Sequence, residues 1–403
     1  MDKRQIDIFI RFGIINLIIV AMIGVLMRYK IGFEFPYFNQ KYLLHAHSHF
    51  AFVGWVSHVL YTLMFSFLTD HRVKSRWFSR LIWVNLFCAF GMLVSFTIQG
   101  YGAVSITFST LSIFVSYIYA FFYHKYLSQV PDNHPSKNWF TAALIFNVLS
   151  SAGTFYLAYM MVSKNIHQYA YLGSVYFYLH FQYSGWFFFA IMGLLMAKLN
   201  ESPSFRYNSK IFVTFFVACI PAYFLSILWA KLPWYIYLFP IAAVLLQLWG
   251  LSLFLNLLKK NWSYIKVLWS YHVRWLLGLA LMALIIKLSL QAGSIFPDIS
   301  KLAFGFRSIV IAYLHLVLLG FTTMFLVGYL LLCGHISHIK TALLALVLFS
   351  IGVFANEFVL MVQGVASFGY ILIPYLNEIL LAVSIFMLLS LLLLLFSYKK
   401  ESQ

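Results

Sequence analysis

Three histidines open the same short phrase in apolar surroundings: His, four residues, Gly, then a large aromatic residue. The phrases are His49-Phe-Ala-Phe-Val-Gly54-Trp55, His180-Phe-Gln-Tyr-Ser-Gly185-Trp186 and His315-Leu-Val-Leu-Leu-Gly320-Phe321, and their histidines stand 131 and 135 residues apart. Imidazole is a common ligand of haem iron, copper and zinc because its neutral ring carries a nitrogen lone pair at physiological pH. Inside a membrane span such a group is costly unless it faces a partner. Each histidine therefore points to ligation, proton transfer or an interhelical hydrogen bond.

The segment around the first phrase holds four histidines, His45, His47, His49 and His58. At 100° per residue His45 and His49 share one helix face, His47 points nearly opposite, and His58 returns to within about 20° of His47, about 16 Å farther along the axis. One helix thus offers imidazoles to two neighbouring spaces. Aromatic residues crowd all three phrases, among them Phe50, Phe52, Trp55, Tyr178, Tyr183 and Tyr313. The glycines five residues past each histidine leave room for a flat ring or for a closely packed helix.

These phrases have to be held by helices in a bilayer. Of 403 residues 63% are hydrophobic, 20% aromatic and only 9% charged, and the mean hydropathy is +0.89. That leaves too little polar surface for a water-soluble domain. Runs of about 20 apolar residues match a bilayer core of about 30 Å. They predict twelve spans, at 8–28, 42–68, 79–98, 102–123, 140–163, 168–197, 211–229, 234–257, 273–292, 305–332, 341–362 and 368–396. The expected fold is an all-α integral membrane protein, one transmembrane domain over residues 1–403. It is read as three four-helix repeats, at about 1–130, 131–262 and 263–403, with one histidine phrase on the second helix of each.

Of the 27 Lys and Arg, 18 fall on the side that holds both termini, 7 on the other and two, Arg11 and Lys287, within spans. This predicts cytoplasmic termini in a multi-pass protein of the cytoplasmic membrane. The net charge of +17 reads as anchoring beside anionic lipid, since the charges are scattered over short loops and form no nucleic-acid surface. The start, Met1-Asp2-Lys3-Arg4, shows no cleavable leader, so the first helix is expected to stay. Cys88, Cys219 and Cys333 lack CxxC spacing and read as packing residues.

Two acids lie well inside the spans, Glu357 beside Asn356 and Glu378 beside Asn377. Either could relay protons, because a carboxyl in a low-dielectric interior exchanges protons nearer neutrality. Either could instead pair with Lys287 or bond between helices. Gln99, Gln182, Gln291 and Gln363 read as interhelical hydrogen bonders.

The stretch His45-Ala-His47-Ser-His49-Phe-Ala-Phe-Val-Gly54-Trp55 resembles the His-x-His helix of haem-copper oxidase subunit I, above all its cbb3-like branch. The twelve-span, three-arc plan resembles that superfamily over nearly the whole chain. The resemblance implies haem, of b type, with His49 or His47 and His315 as axial ligands, and it makes copper possible. On this reading the metal-ligating candidates are His45, His47, His49, His58, His180 and His315. The chain departs from the family where copper is bound. Span 7 has no histidine, Ser184 stands where a tyrosine is expected with Tyr183 one position early, and Tyr313-Leu314-His315 has a single histidine. It is more similar to the haem- and copper-containing membrane proteins linked to nitric-oxide stress.

The expected function is respiratory electron transfer or O2- or NO-related redox chemistry. No CxxCH haem-attachment motif occurs, so electrons would come from quinol or from a cytochrome-containing subunit. The alternatives are a twelve-helix secondary transporter, which calls for helices broken at matching places in the repeats, and a haem or metal sensor without turnover.

Overall fold

The computed structural model describes residues 3–399 apart from 74, 204 and 231. Met1 and Asp2, where the reading of the N-terminus begins, lie outside the described residues. The chain is 84% helical, with no strand among the described residues. Among the described residues eleven helices are long and apolar enough to cross a membrane, and a twelfth span results if one bent pair is counted. The protein is an all-α, multi-pass membrane protein.

In chain order the elements are α1 (Lys3–Gly32), α2 (Gln40–His49), π1 (Phe50–Ser57), α3 (His58–Asp70), α4 (Arg76–Gln99), α5 (Ala103–Leu127) and α6 (Ser136–Val162). Then come α7 (Gln168–His180), π2 (Phe181–Phe187), α8 (Phe188–Asn200), α9 (Ser209–Cys219), two 3-10 turns (Pro221–Ile227 and Trp234–Tyr237), α10 (Leu238–Lys260) and α11 (Trp262–Leu268). The chain closes with α12 (Tyr271–Gly293), α13 (Pro297–Gly305), α14 (Arg307–His315), π3 (Leu316–Thr323), α15 (Met324–Leu332), α16 (Lys340–Phe368) and α17 (Leu376–Lys399).

Each histidine phrase is the site of a π-helical segment that starts at the residue after the histidine: Phe50, Phe181 and Leu316. A π segment carries one extra residue per turn and releases carbonyls from the regular ladder, which must then find other donors in a water-free interior. In π1 those donors are asparagines on neighbouring helices. Asn16 of α1 donates to the Gly54 carbonyl at 2.5 Å, and Asn85 of α4 donates to the Val53 carbonyl at 3.2 Å. In π3 Thr322 turns its own hydroxyl back onto the Val317 carbonyl at 2.9 Å. The space beside Gly54 is filled by the ring of Phe50, and that beside Gly185 by Phe146 of α6. At these two positions the missing side chain serves packing.

The seventh predicted span, 211–229, is broken. Pro221 cannot donate a backbone hydrogen bond and its ring crowds the preceding turn. Accordingly α9 stops at Cys219, and the 3-10 turn beyond it leaves at 45°. Summed hydropathy does not register such a break, because Pro221 removes one hydrogen bond and hardly changes the apolar total.

By contacts the chain forms two compact units, Met1–Tyr126 with Tyr271–Leu277 and Thr323–Gln403, and Leu127–Ser270 with Gly278–Thr322. In the first, α1 packs against α17 and π1, α2 against α4, and α16 against α17. In the second, α6 packs against α7, π2 and α8, and α9 packs against α10.

Candidate functional site

In the first unit the two predicted faces of the second span are both used. His45 and His49 turn toward α4 and the residues after it: the His49 ring stacks on Phe96 at 4.3 Å with 12° between planes, and its Nε2 is 3.0 Å from the Tyr101 hydroxyl. His45 packs edge-on against Tyr101 at 4.6 Å, and its Nε2 is buried with no hydrogen-bond partner. His47 faces α1, where its Cε1 would lie 3.5 Å from a Cβ placed on Gly24. His58 also faces α1, and its Nε2 lies 2.9 Å from the Phe9 carbonyl. A carbonyl can only accept, so His58 carries its proton on Nε2 and its lone pair on the buried Nδ1.

In the second unit His180 is fully buried, and its Nε2 donates to the Cys219 carbonyl at 2.8 Å. The break at Pro221 explains why that carbonyl is available. In a continuous helix Cys219 would accept from the amide of Tyr223, but that amide bonds to the Ile220 carbonyl instead, at 3.1 Å. His180 thus replaces the missing backbone donor. Cys219, expected to be a packing residue, supplies the acceptor and also points its thiol at the Ser184 carbonyl, 3.8 Å away.

His315 is arranged the other way round. Its Nδ1 donates to the Ile311 carbonyl of its own helix at 2.9 Å, which puts the lone pair on Nε2. A backbone carbonyl holding Nδ1–H is the usual means of orienting a ligating imidazole and fixing its tautomer. Near it lies a buried tyrosine pair. Tyr183 and Tyr313 are hydrogen-bonded to each other, Tyr183 also bonds Ser226, and the two rings meet edge-on at 6.2 Å.

The most polar interior of the second unit gathers around a residue that the sequence presented only as a partner for acids. Lys287 of α12 is 3% exposed and donates to the Ser184 hydroxyl of π2 at 3.0 Å. Among the described residues it makes no ion pair. Glu357 instead accepts from the side chain of its neighbour Asn356 at 3.2 Å, and Glu378 lies in the first turn of α17. Gln182 behaves as expected, bridging to Asn147 at 3.0 Å and Ser150 at 2.8 Å on α6.

Haem iron needs an imidazole whose Nε2 carries the lone pair. The tautomer of His315 fits that need, whereas His58 and His180 spend Nε2 on carbonyls. Among the described residues no three His, Cys, Asp or Glu side chains come together as a metal-ion site. The tautomers could not be read from the sequence, because they depend on which carbonyl each ring meets. Pro221 was the available signal for His180, since a proline frees a carbonyl on its own helix. Comparison with known proteins finds no family model that matches the chain and no curated sequence similar to it at a significant level.

Proposed function

We propose that this is a haem-binding protein of the cytoplasmic membrane, with both termini cytoplasmic, that takes part in electron transfer linked to O2 or NO chemistry, in the manner of the haem-copper oxidase subunit I proteins that it resembles. The observation that carries the proposal is the orientation of His315, whose Nδ1 is committed to Ile311 while Nε2 holds the lone pair. His315 is the ligand candidate of the second unit, and His47 or His49 that of the first; the His49 Nε2 lies 3.0 Å from the Tyr101 hydroxyl.

Bound haem would supply one-electron redox chemistry. The chain's own part is to present oriented imidazoles, to exclude water with its aromatic packing, and to hold protons on the Tyr183–Tyr313 pair. Copper has less support than haem, given the scattered histidines and the lack of a histidine in span 7. The electron donor is assigned as quinol or a cytochrome-bearing subunit.

The test is the absorption spectrum of the purified protein, oxidised and reduced, with haem extraction to identify the type. Wild-type protein and His180→Ala are expected to keep a Soret band, and His315→Ala to lose it. A colourless wild-type protein after expression with ample haem, or an unchanged band in both His315→Ala and His47→Ala, would overturn the proposal.

A further inference from the structure

Within the second unit π2, α8, α9, α10 and α12 line a cavity of about 20 Å³ whose polar wall is made by Ser184, Cys219, Gln247 and Lys287. Two of these groups have hydrogen-bonding capacity left over. The Lys287 ammonium has three donors and places one on Ser184 Oγ, while its Nζ sits 5.7 Å from the Tyr183 ring centre and 5.9 Å from that of Phe188. Gln247 is 7% exposed, and its Oε1 is buried with no hydrogen-bond partner. A surplus donor from α12 and a surplus acceptor from α10 therefore line one small volume.

The size and chemistry of that volume select its occupant. A cavity holds one water once it offers roughly 10–15 Å³ to the centre of a water-sized probe, and this one is just above that size. A halide is larger, and it would meet the lone pairs of Gln247 Oε1. The site suits a molecule that accepts on one side and donates on the other.

We propose that this cavity binds one water molecule, which accepts from Lys287 Nζ and donates to Gln247 Oε1. The result is a hydrogen-bonded chain, Ser184–Lys287–water–Gln247, that joins π2, α12 and α10. The chain solvates a lysine ammonium that makes no ion pair among the described residues. The charge lies over Tyr183, which is bonded to Tyr313, two residues before His315. None of this depends on haem being present.

The experiment is thermal unfolding of the full-length protein in detergent, for Gln247→Leu, Lys287→Met and the double variant. If water bridges the two residues, Gln247→Leu lowers the midpoint by a few degrees, Lys287→Met lowers it further, and the double variant falls by less than the sum, because removing both ends leaves no uncompensated polar group. A Gln247→Leu variant as stable as wild type or more so would overturn the proposal, since it would mean that Oε1 had no partner to lose. Additive losses would do the same. If a variant does not fold, an experimental structure of the wild type that resolves ordered water decides: density between Nζ and Oε1 supports the site, and its absence, or a bromide signal there after soaking, overturns it.

Discussion

His180 and His315 begin the same phrase, each is followed at once by a π segment, and both belong to the second unit. Their rings nevertheless carry the proton on opposite nitrogens. His180 gives Nε2–H to a carbonyl 39 residues away that a proline has freed, and His315 gives Nδ1–H to the carbonyl one turn back in its own helix. A histidine that meets a freed long-range carbonyl becomes part of the scaffold. One whose Nδ1 bonds within its own turn keeps the lone pair on Nε2. The repeated phrase marks where a helix widens, and the nearest unsatisfied carbonyl decides what the imidazole does there.

The sharpest way to break this comparison is to remove each ring and follow both spectrum and stability. His315→Ala is expected to abolish the Soret band of the haem-loaded protein. His180→Ala is expected to keep the band but to cost about 2–4 kcal/mol, because it leaves a cavity and an unpaired Cys219 carbonyl in a buried region. Reversed outcomes would invert the assignment of roles. The π segments themselves can be tested through their donors. Asn16→Leu strands the Gly54 carbonyl and is expected to destabilise the first unit by about 1–3 kcal/mol, read as a lower thermal midpoint.

A loss of similar size, about 1–3 kcal/mol, is expected for Gly153→Ala in the second unit. The added Cβ would come within 2.5 Å of the Ser174 carbonyl oxygen, and the backbones of α6 and α7 would have to separate. The smallest effect is expected outside the membrane-spanning segments. The Asp132 carboxyl is held below its usual range by the hydrogen bond and charge of Lys137, 2.6 Å away. A carboxyl with a depressed folded-state pKa contributes stability above its unfolded pKa and loses it as pH falls through the folded value. Asp132 is fully exposed, so water and salt screen the pair. Asp132→Asn is expected to leave the unfolding midpoint at neutral pH unchanged, while Gly153→Ala and His180→Ala lower it at every pH.

Much of the scaffold could be read from the chain because membrane helices announce themselves by length and apolarity. All eleven unbroken spans appear where apolar runs predicted them, and the faces of His45, His47 and His49 follow from α-helical geometry alone. The bend within span 7 is not legible in hydropathy, which averages over Pro221. The sequence offers Lys287 as one of several partners for the two acids, because a buried cation suggests a carboxylate; folding brings it the hydroxyl of Ser184. Cys219 passed as filler because its backbone oxygen, which carries its role, is common to every residue.

The sequence alone determined that this protein spans a membrane as helices, that imidazoles repeat at three related places, and on which face of α2 His45, His47 and His49 lie. These properties depend on composition and on the fixed 100° step of a helix. Tertiary structure alone decided which nitrogen of each ring holds the lone pair, which carbonyls the π segments and Pro221 release, and which donors meet them. Those outcomes depend on contacts of about 3 Å between residues that are distant in the chain, and no local pattern encodes them.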